Sequence, residues 1–292
     1  MITITSVFST LDRIKELKSN LGYLQQVQAG ESVNVSRLDF ITPLSITPIA
    51  AIINSHSLKM NYDGPNAQYL KVIHFPEGIS EIEGLSDSKS YIPIIKLPLR
   101  GMVKQDRSKS LNALHSKFLD LLRRNVIAEP RFIELISNNT FGFVMGEMLD
   151  NIEEHAQAEN VYVFAQYWTK NNSCELCILD DGQGLFGSLS NAGRDVIDSL
   201  DALKKILNMG LSAKTEYGDI RRGMGIKSTR AAITNRELNG EFFVMSGNAA
   251  FLHTVSNGEI FVTFQDYSWN GTVVMMKLNR PSSSFNLYDY VR

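Results

Sequence analysis

The sequence predicts an α/β protein in two parts, and three patterns predict it. Strand-like and helical runs alternate over residues 31–99, the signature of a small α/β unit. A polar, charged stretch then interrupts the apolar patterning, "GMVKQDRSK" at 101–109. Beyond it, helical periodicity dominates to about residue 155, and about five strand-like runs follow with helices between them. The expected organisation is a small α/β unit over residues 1–105, a second unit of helices layered on a mixed or antiparallel sheet over 106–284, and a short polar tail at 285–292.

In the first part, "SVNVSRLDFI" has strand character. "PLSITPIAAIINSHS" is a helix opened by Pro43, and "LKMNY" is a short strand. Together they predict a β-α-β unit over 31–63. "DGP" at 63–65 is a turn signal, "NAQYLKVIHF" a short helix, and "PEG" at 76–78 its end. "SYIPIIKLPL" (90–99) is a strand whose prolines confine it to a sheet edge.

In the second part, Leu111, Leu114, Phe118, Leu121 and Leu122 fall at helical spacing, and "PRFIELISNN" is a second helical run. Phe141, Val144, Met145, Met148, Leu149 and Ile152 form one apolar stripe of a third helix. Strand candidates are 161–168, 174–180 and 272–278, with 241–246 and 259–265 reading as a hairpin. Helices are expected at 194–209, ended by Gly210, and at 226–238.

Composition excludes several classes. Hydrophobic residues make up 43% of the chain and charged residues 21%, enough apolar content to bury a core. The formal net charge of −2 supplies no broad attraction to nucleic acid or to an acidic membrane. The start, "MITITSVFSTLDRIKEL", lacks a basic segment followed by an apolar core. "ITPLSITPIAAII" holds two interior prolines and is too short to span a bilayer. The expectation is a cytoplasmic protein with no membrane partner and no nucleic-acid partner indicated. Cys174 and Cys177 have C-x-x-C spacing but lie on a strand, where residues three apart face opposite sides. With no second Cys or His pair to complete a zinc site, they read as two small strand residues.

The chemistry concentrates in "GEMLDNIEEHA" (146–156). With the stripe centred near Met148 and Ile152, Asp150 faces water. Asn151 falls about 90° from the stripe, His155 about 50° and Glu147 about 130°. Glu147, Asn151 and His155 are spaced i, i+4, i+8, one row along the rim of the buried face. Such a row alone is an ordinary solvated edge. It is also where a carbonyl oxygen can meet Mg²⁺, which prefers oxygen ligands, and where a carboxylate can polarise a water. "ILDDGQGL" follows: Asp180 at a strand end, then Gly182 and Gly184. A fixed carboxylate there can accept from an exocyclic amine, and the glycines let the chain turn sharply. "RRGMGIKSTRAAI" opens a helix with Gly223 and Gly225, whose free N–H groups suit phosphates. "WNGTVVMMKL" sets Gly271 and Thr272 at a strand start.

In this order the four segments resemble the GHKL superfamily of ATP-binding proteins, which includes gyrase, heat-shock chaperones, histidine kinases and mismatch-repair ATPases. "EMLDNIEEH" looks like its N box, and "DDGQG" and "GMGIKS" like its first two glycine boxes. "GT" before the last strand looks like the third. The resemblance covers about residues 130–280 and implies the Bergerat α/β sandwich, with ATP and Mg²⁺ as cofactors. It implies Glu147 as general base, Asn151 as Mg²⁺ ligand and Asp180 as adenine anchor. Gly182 and Gly184 would shape the adenine pocket, Gly223 and Gly225 hold phosphates, and Thr272 support the adenine-side water network. His155 joins the nucleotide site. Residues 185–222 correspond to the segment that closes over ATP in that family, with Lys214, Arg221 and Arg222 as phosphate partners on closure; Lys227 is a further candidate. More loosely, "VNVSRLDFITPLSITPIAAII" resembles STAS-like regulatory domains, over about residues 30–100.

Three activities fit this reading. One is an ATPase whose binding and hydrolysis switch conformation or assembly, with a protein partner or a homodimer. Another is a protein kinase of the superfamily, serine-directed and anti-sigma-like, or histidine-directed. For the histidine kinase, His115 is the positional candidate; it lacks the acidic neighbour such helices carry and reads better as a core-edge histidine. The third is a nucleotide-sensing module without turnover.

Overall fold

The computed structural model describes residues 2–5, 10–27, 30–38, 40–82, 90–126, 146, 148–153, 157–213 and 225–279. They form an α/β protein with two sheets. The smaller is parallel, in the order β1 (Ile2–Thr5), β2 (Ser32–Arg37), β3 (Lys59–Asn61). Helix α1 (Thr10–Leu24) links β1 to β2, and α2 (Pro43–Ser55) links β2 to β3, so the expected β-α-β unit is present. β1 and α1 go beyond the elements read from the sequence. In α1, Ile14, Leu17, Leu21 and Leu24 make one buried stripe.

Helix α2 starts where Thr42 and Ser45 form a capping box, with Pro43 in the first turn. A further acceptor comes from far along the chain. The Leu44 N–H donates to Glu175 Oε1 at 2.9 Å, and Glu175 is 1% exposed. A short helix, α3 (Ala67–Val72), follows β3.

The larger sheet has seven strands: β4 (Tyr91–Pro98), β5 (Asn160–Trp168), β6 (Ser173–Asp180), β7 (Glu241–Gly247), β8 (Ala249–Thr254), β9 (Gly258–Thr263) and β10 (Trp269–Asn279). Their order is β4-β5-β6-β10-β7-β8-β9, and every strand pair in it is antiparallel. Of the expected sheet of about five strands, mixed or antiparallel, the antiparallel form holds, and two points are corrected. First, β4 belongs to this sheet, with Tyr91 opposite Gln166, although it precedes the 101–109 stretch. As its prolines require, it lies at an edge. Second, residues 241–246 and 259–265 do not form a hairpin, because β8 lies between them. A two-residue turn at Gly247-Asn248, with Gly247 at φ +60°, reverses the chain directly into β8. The leading Ala249-Ala250 of β8 has low strand propensity, which hides it from pattern reading.

The two faces of this sheet bury different layers. On one side lie α4 (Lys104–Val126), the helical residues 148–151, α5 (Gly184–Asn191), α6 (Ser199–Met209) and α7 (Gly225–Ile233). On the other lie α1, α2 and the small sheet, whose apolar residues share one core with Phe164, Cys177, Leu179, Phe243 and Met275. The N-terminal segment is thus packed against the back of the large sheet. Helix α6 ends at Gly210 as the sequence predicts, in the left-handed conformation at φ +71°. The expected 226–238 helix is shorter, ending at Ile233. No described helix is long and apolar enough to cross a membrane. The expected tail lies outside the described residues.

Candidate functional site

The site begins with β6. All eight of its residues are buried, and its last is Asp180, 3% exposed. The Asp180 carboxyl is held by the main chain. Gly182 N–H donates to Oδ1 at 2.9 Å, and Gly271 packs so closely that a Cβ on it would lie 2.8 Å from Oδ1. Burial pushes this carboxyl up to about 7; the nearby main chain of Gly182 and Thr272 opposes the shift and the neighbouring Asp181 charge adds to it. Asp181 itself turns away. Its Oδ1 accepts from the Glu159 and Asn160 N–H groups, both at 2.8 Å, and Oδ2 from Asn160 Nδ2 at 2.7 Å. One acid of the pair ties down the start of β5, and the other remains for the cavity.

The turn after Asp180 closes tightly against β10. Gly184 adopts φ +69°, and a Cβ there would lie 2.7 Å from Ser246 Oγ. Gly271 adopts φ +105°, and a Cβ there would lie 2.1 Å from the Asp180 carbonyl oxygen. Only glycine fits at either position. Between Trp269 and Thr272 the register of β10 on β7 slips, with three residue steps on β10 facing one on β7. This bulge lets β10 hold Asp180: Trp269 Nε1 donates to the Asp180 carbonyl at 3.0 Å, and Gly271 lies against the carboxyl.

Above this floor opens a cavity of about 980 Å³, its mouth included. Asn151, Asp180, Gly184, Gly225, Lys227 and Thr272 all line it, brought together from five separate elements. Its walls are apolar, with Met148, Ile152, Ile178, Leu189, Ile226 and Val274 among them. The helical segment sits as its wheel requires: Met148, Leu149 and Ile152 are buried, Asp150 is exposed, and Asn151 is half-buried at the rim. The first residue of α7, Gly225, also lines the cavity, with Lys227 exposed beside it. Arg194 Nε donates to the Ser212 carbonyl at 2.9 Å and so holds one part of the rim, residues 210–213. Such a cavity suits a flat, apolar-faced ligand with a hydrogen-bond donor for Asp180 and negative charge for the α7 N-terminus and Lys227.

Gly182 meets Asp180 but does not line the cavity. Glu147, His155, Lys214, Arg221, Arg222 and Gly223 lie outside the described residues. Sequence reasoning missed Ser246, Trp269 and the rim at Gly210–Ala213, because none of them belongs to a local motif. It also missed α5, which starts inside the "DDGQG" turn.

Other candidates resolve plainly. Cys174 packs with the α4 side of the sheet and Cys177 with the α2 side. Burial pushes both thiols up, so neither is a poised nucleophile. Among the described residues, no three of His, Cys, Asp and Glu cluster to hold a metal. His115 is half-buried on α4, with its pKa lowered by desolvation against the Asp150 charge. Its Nε2 is buried and has no hydrogen-bond partner. Glu153 accepts from Ser108 Oγ at 2.7 Å and links its helix to α4. No known family model matches the chain, and no curated protein matches it in sequence.

Proposed function

We propose that this cavity binds ATP with Mg²⁺, and that the chain is a GHKL-type ATPase of Bergerat architecture. Nucleotide binding and hydrolysis would serve as a conformational or assembly switch. The observation that carries the reading is the shared cavity, lined together by a buried carboxyl that accepts from the Gly182 N–H, by a helix N-terminus with Lys227, and by Asn151. The residues fit the group. The Asp180 carboxyl accepts from the 6-amine of adenine, and the apolar walls take its ring faces. Gly225, Lys227 and the α7 N-terminus meet phosphate charge. Asn151 offers Mg²⁺ one carbonyl oxygen. When bound, the metal supplies charge neutralisation on the phosphates. Glu147 is the proposed base that orients and deprotonates water.

The N-terminal segment, with its β-α-β unit docked on the sheet, is proposed to be a STAS-like regulatory part. The burial of His115 Nε2 weighs against a phospho-accepting role and favours the ATPase over a histidine kinase.

Calorimetric titration with Mg²⁺ and a non-hydrolysable ATP analogue tests the site. Binding to wild type, weakened at least tenfold in Asp180→Asn, is expected; no heat with wild type sinks the reading. Steady-state hydrolysis by wild type and its loss in Glu147→Ala test turnover. Binding without turnover in either protein leaves a nucleotide sensor instead.

A further inference from the structure

Ser246 is the penultimate residue of β7 and is 3% exposed, yet it does not line the cavity. Its hydroxyl both accepts and donates. It accepts from the Leu185 N–H at 2.8 Å and donates its one proton to the Gly271 carbonyl at 2.8 Å. The Leu185 N–H belongs to the first turn of α5, where the helix itself offers no partner. The Gly271 carbonyl belongs to the β10 bulge. One buried oxygen therefore fastens the helix that follows Asp180 to the strand that grips Asp180. Gly271 itself lies directly against Asp180: a Cβ on it would fall 2.1 Å from the Asp180 carbonyl oxygen and 2.8 Å from Oδ1. Packing leaves no slack, since Gly184 has no room for a Cβ beside Ser246 Oγ.

We propose that Ser246 is a positioning residue for nucleobase recognition: by tying Gly271 to the first turn of α5, it holds the β10 bulge against Asp180 and the Gly182 N–H on its carboxyl, and fixes that carboxyl in one orientation toward an exocyclic amine. The proposal rests on the nucleotide reading of the cavity. Without the hydroxyl the bulge loses its fastening. The carboxyl then turns more freely, and a ligand with an amine gains less over one without it. Ligands without that amine lose little, because the apolar walls and the phosphate end are untouched.

The test compares ATP with purine riboside triphosphate, which lacks the 6-amine, by calorimetry on wild type, Ser246→Ala, Ser246→Thr and Ser246→Cys. Wild type is expected to prefer ATP. Ser246→Ala is expected to lose about fivefold of that preference, the worth of one ordinary hydrogen bond. Ser246→Thr retains the hydroxyl and is expected to restore it. Ser246→Cys, close in size with a weaker donor, falls between and serves if Ser246→Ala does not fold. A second arm needs no nucleotide. Carbon NMR follows the Asp180 carboxyl through pH, and its midpoint is expected to rise in Ser246→Ala and return in Ser246→Thr. Equal loss for both nucleotides with an unmoved Asp180 midpoint overturns the proposal and leaves Ser246 a packing residue. If wild type binds neither nucleotide while the midpoint moves as stated, the nucleotide reading fails and the hold on Asp180 stands.

Discussion

The indole N–H of Trp269 donates to the main-chain carbonyl of Asp180 at 3.0 Å, while the ring of Trp269 is buried in the core shared with α1 and α2. Asp180 thus presents its carboxyl to the cavity on one side of the sheet and is held by its carbonyl from the other. The loop before Trp269 also meets α1 and the residue just after it: Lys18 Nζ lies 5.9 Å from the Phe264 ring centroid, and Gln25 Nε2 donates to the Ser268 carbonyl at 3.3 Å. The N-terminal segment therefore contributes to the support behind the site.

Trp269→Phe keeps an aromatic ring and removes the donor. The buried Asp180 carbonyl loses that partner, at a cost of about 1–3 kcal/mol. A lower denaturant midpoint with an unchanged slope is the expected result. Unchanged stability would show that the indole N–H does not hold Asp180.

The Asp180 carboxyl has its pKa raised by burial from 3.8 to about 7. Between these values the folded protein binds more protons than the unfolded chain. Its contribution is therefore fully present below about pH 4 and is lost as pH rises through about 7, a change on the order of 4 kcal/mol. Denaturation of wild type and Asp180→Asn at pH 5 and pH 8 checks this. Wild type is expected to lose stability relative to Asp180→Asn at the higher pH; the reverse order would contradict the burial of the charge.

Gly271→Ala forces a Cβ to within 2.1 Å of the Asp180 carbonyl oxygen at φ +105°. Neither backbone can yield without breaking the grip on Asp180, so a loss of several kcal/mol is expected in a thermal melt. Gly30, also at positive φ but with nothing within 4 Å of its Cβ position, is the control. Gly30→Ala is expected to cost much less, and equal losses would refute the clash.

Glu175 accepts the Leu44 N–H at the start of α2 from within the large sheet. Glu175→Ala leaves a buried helix-end donor without this acceptor, and about 1–3 kcal/mol is expected to be lost. Glu175→Gln keeps an amide oxygen and is expected to recover part of it. Hydrogen exchange at Leu44 is the local readout: faster exchange in Glu175→Ala than in Glu175→Gln is expected, and equal rates would remove the assignment.

Much of the local structure was legible because it follows from short-range rules. Pro43 after Thr42 marks a helix start, and Gly210 a helix end. The prolines of 90–99 mark an edge strand, and strand alternation puts Cys174 and Cys177 on opposite faces. The periodicity of 148–152 places Asn151 at a rim. Each depends on neighbours within one turn or two strand residues, which a linear pattern records.

Tertiary structure alone decided the rest. Nothing local joins β4 to β5 across some sixty intervening residues, or places β8 between two strands of stronger propensity. The sequence singles out Asp180 by its place at a strand end, but only long-range partners show how it differs from Asp181: Asp181 turns to the N–H groups of Glu159 and Asn160, while Asp180 is buried against Gly271. Ser246 and Trp269 lie in ordinary strand text and gain their roles from a bulge that exists only when β10 meets β7. Sequence alone could determine backbone preference and side-chain facing, because these are set by nearest neighbours. Which groups share a cavity, and which carboxyl is buried, depends on contacts between segments far apart in the chain, and folding alone supplies them.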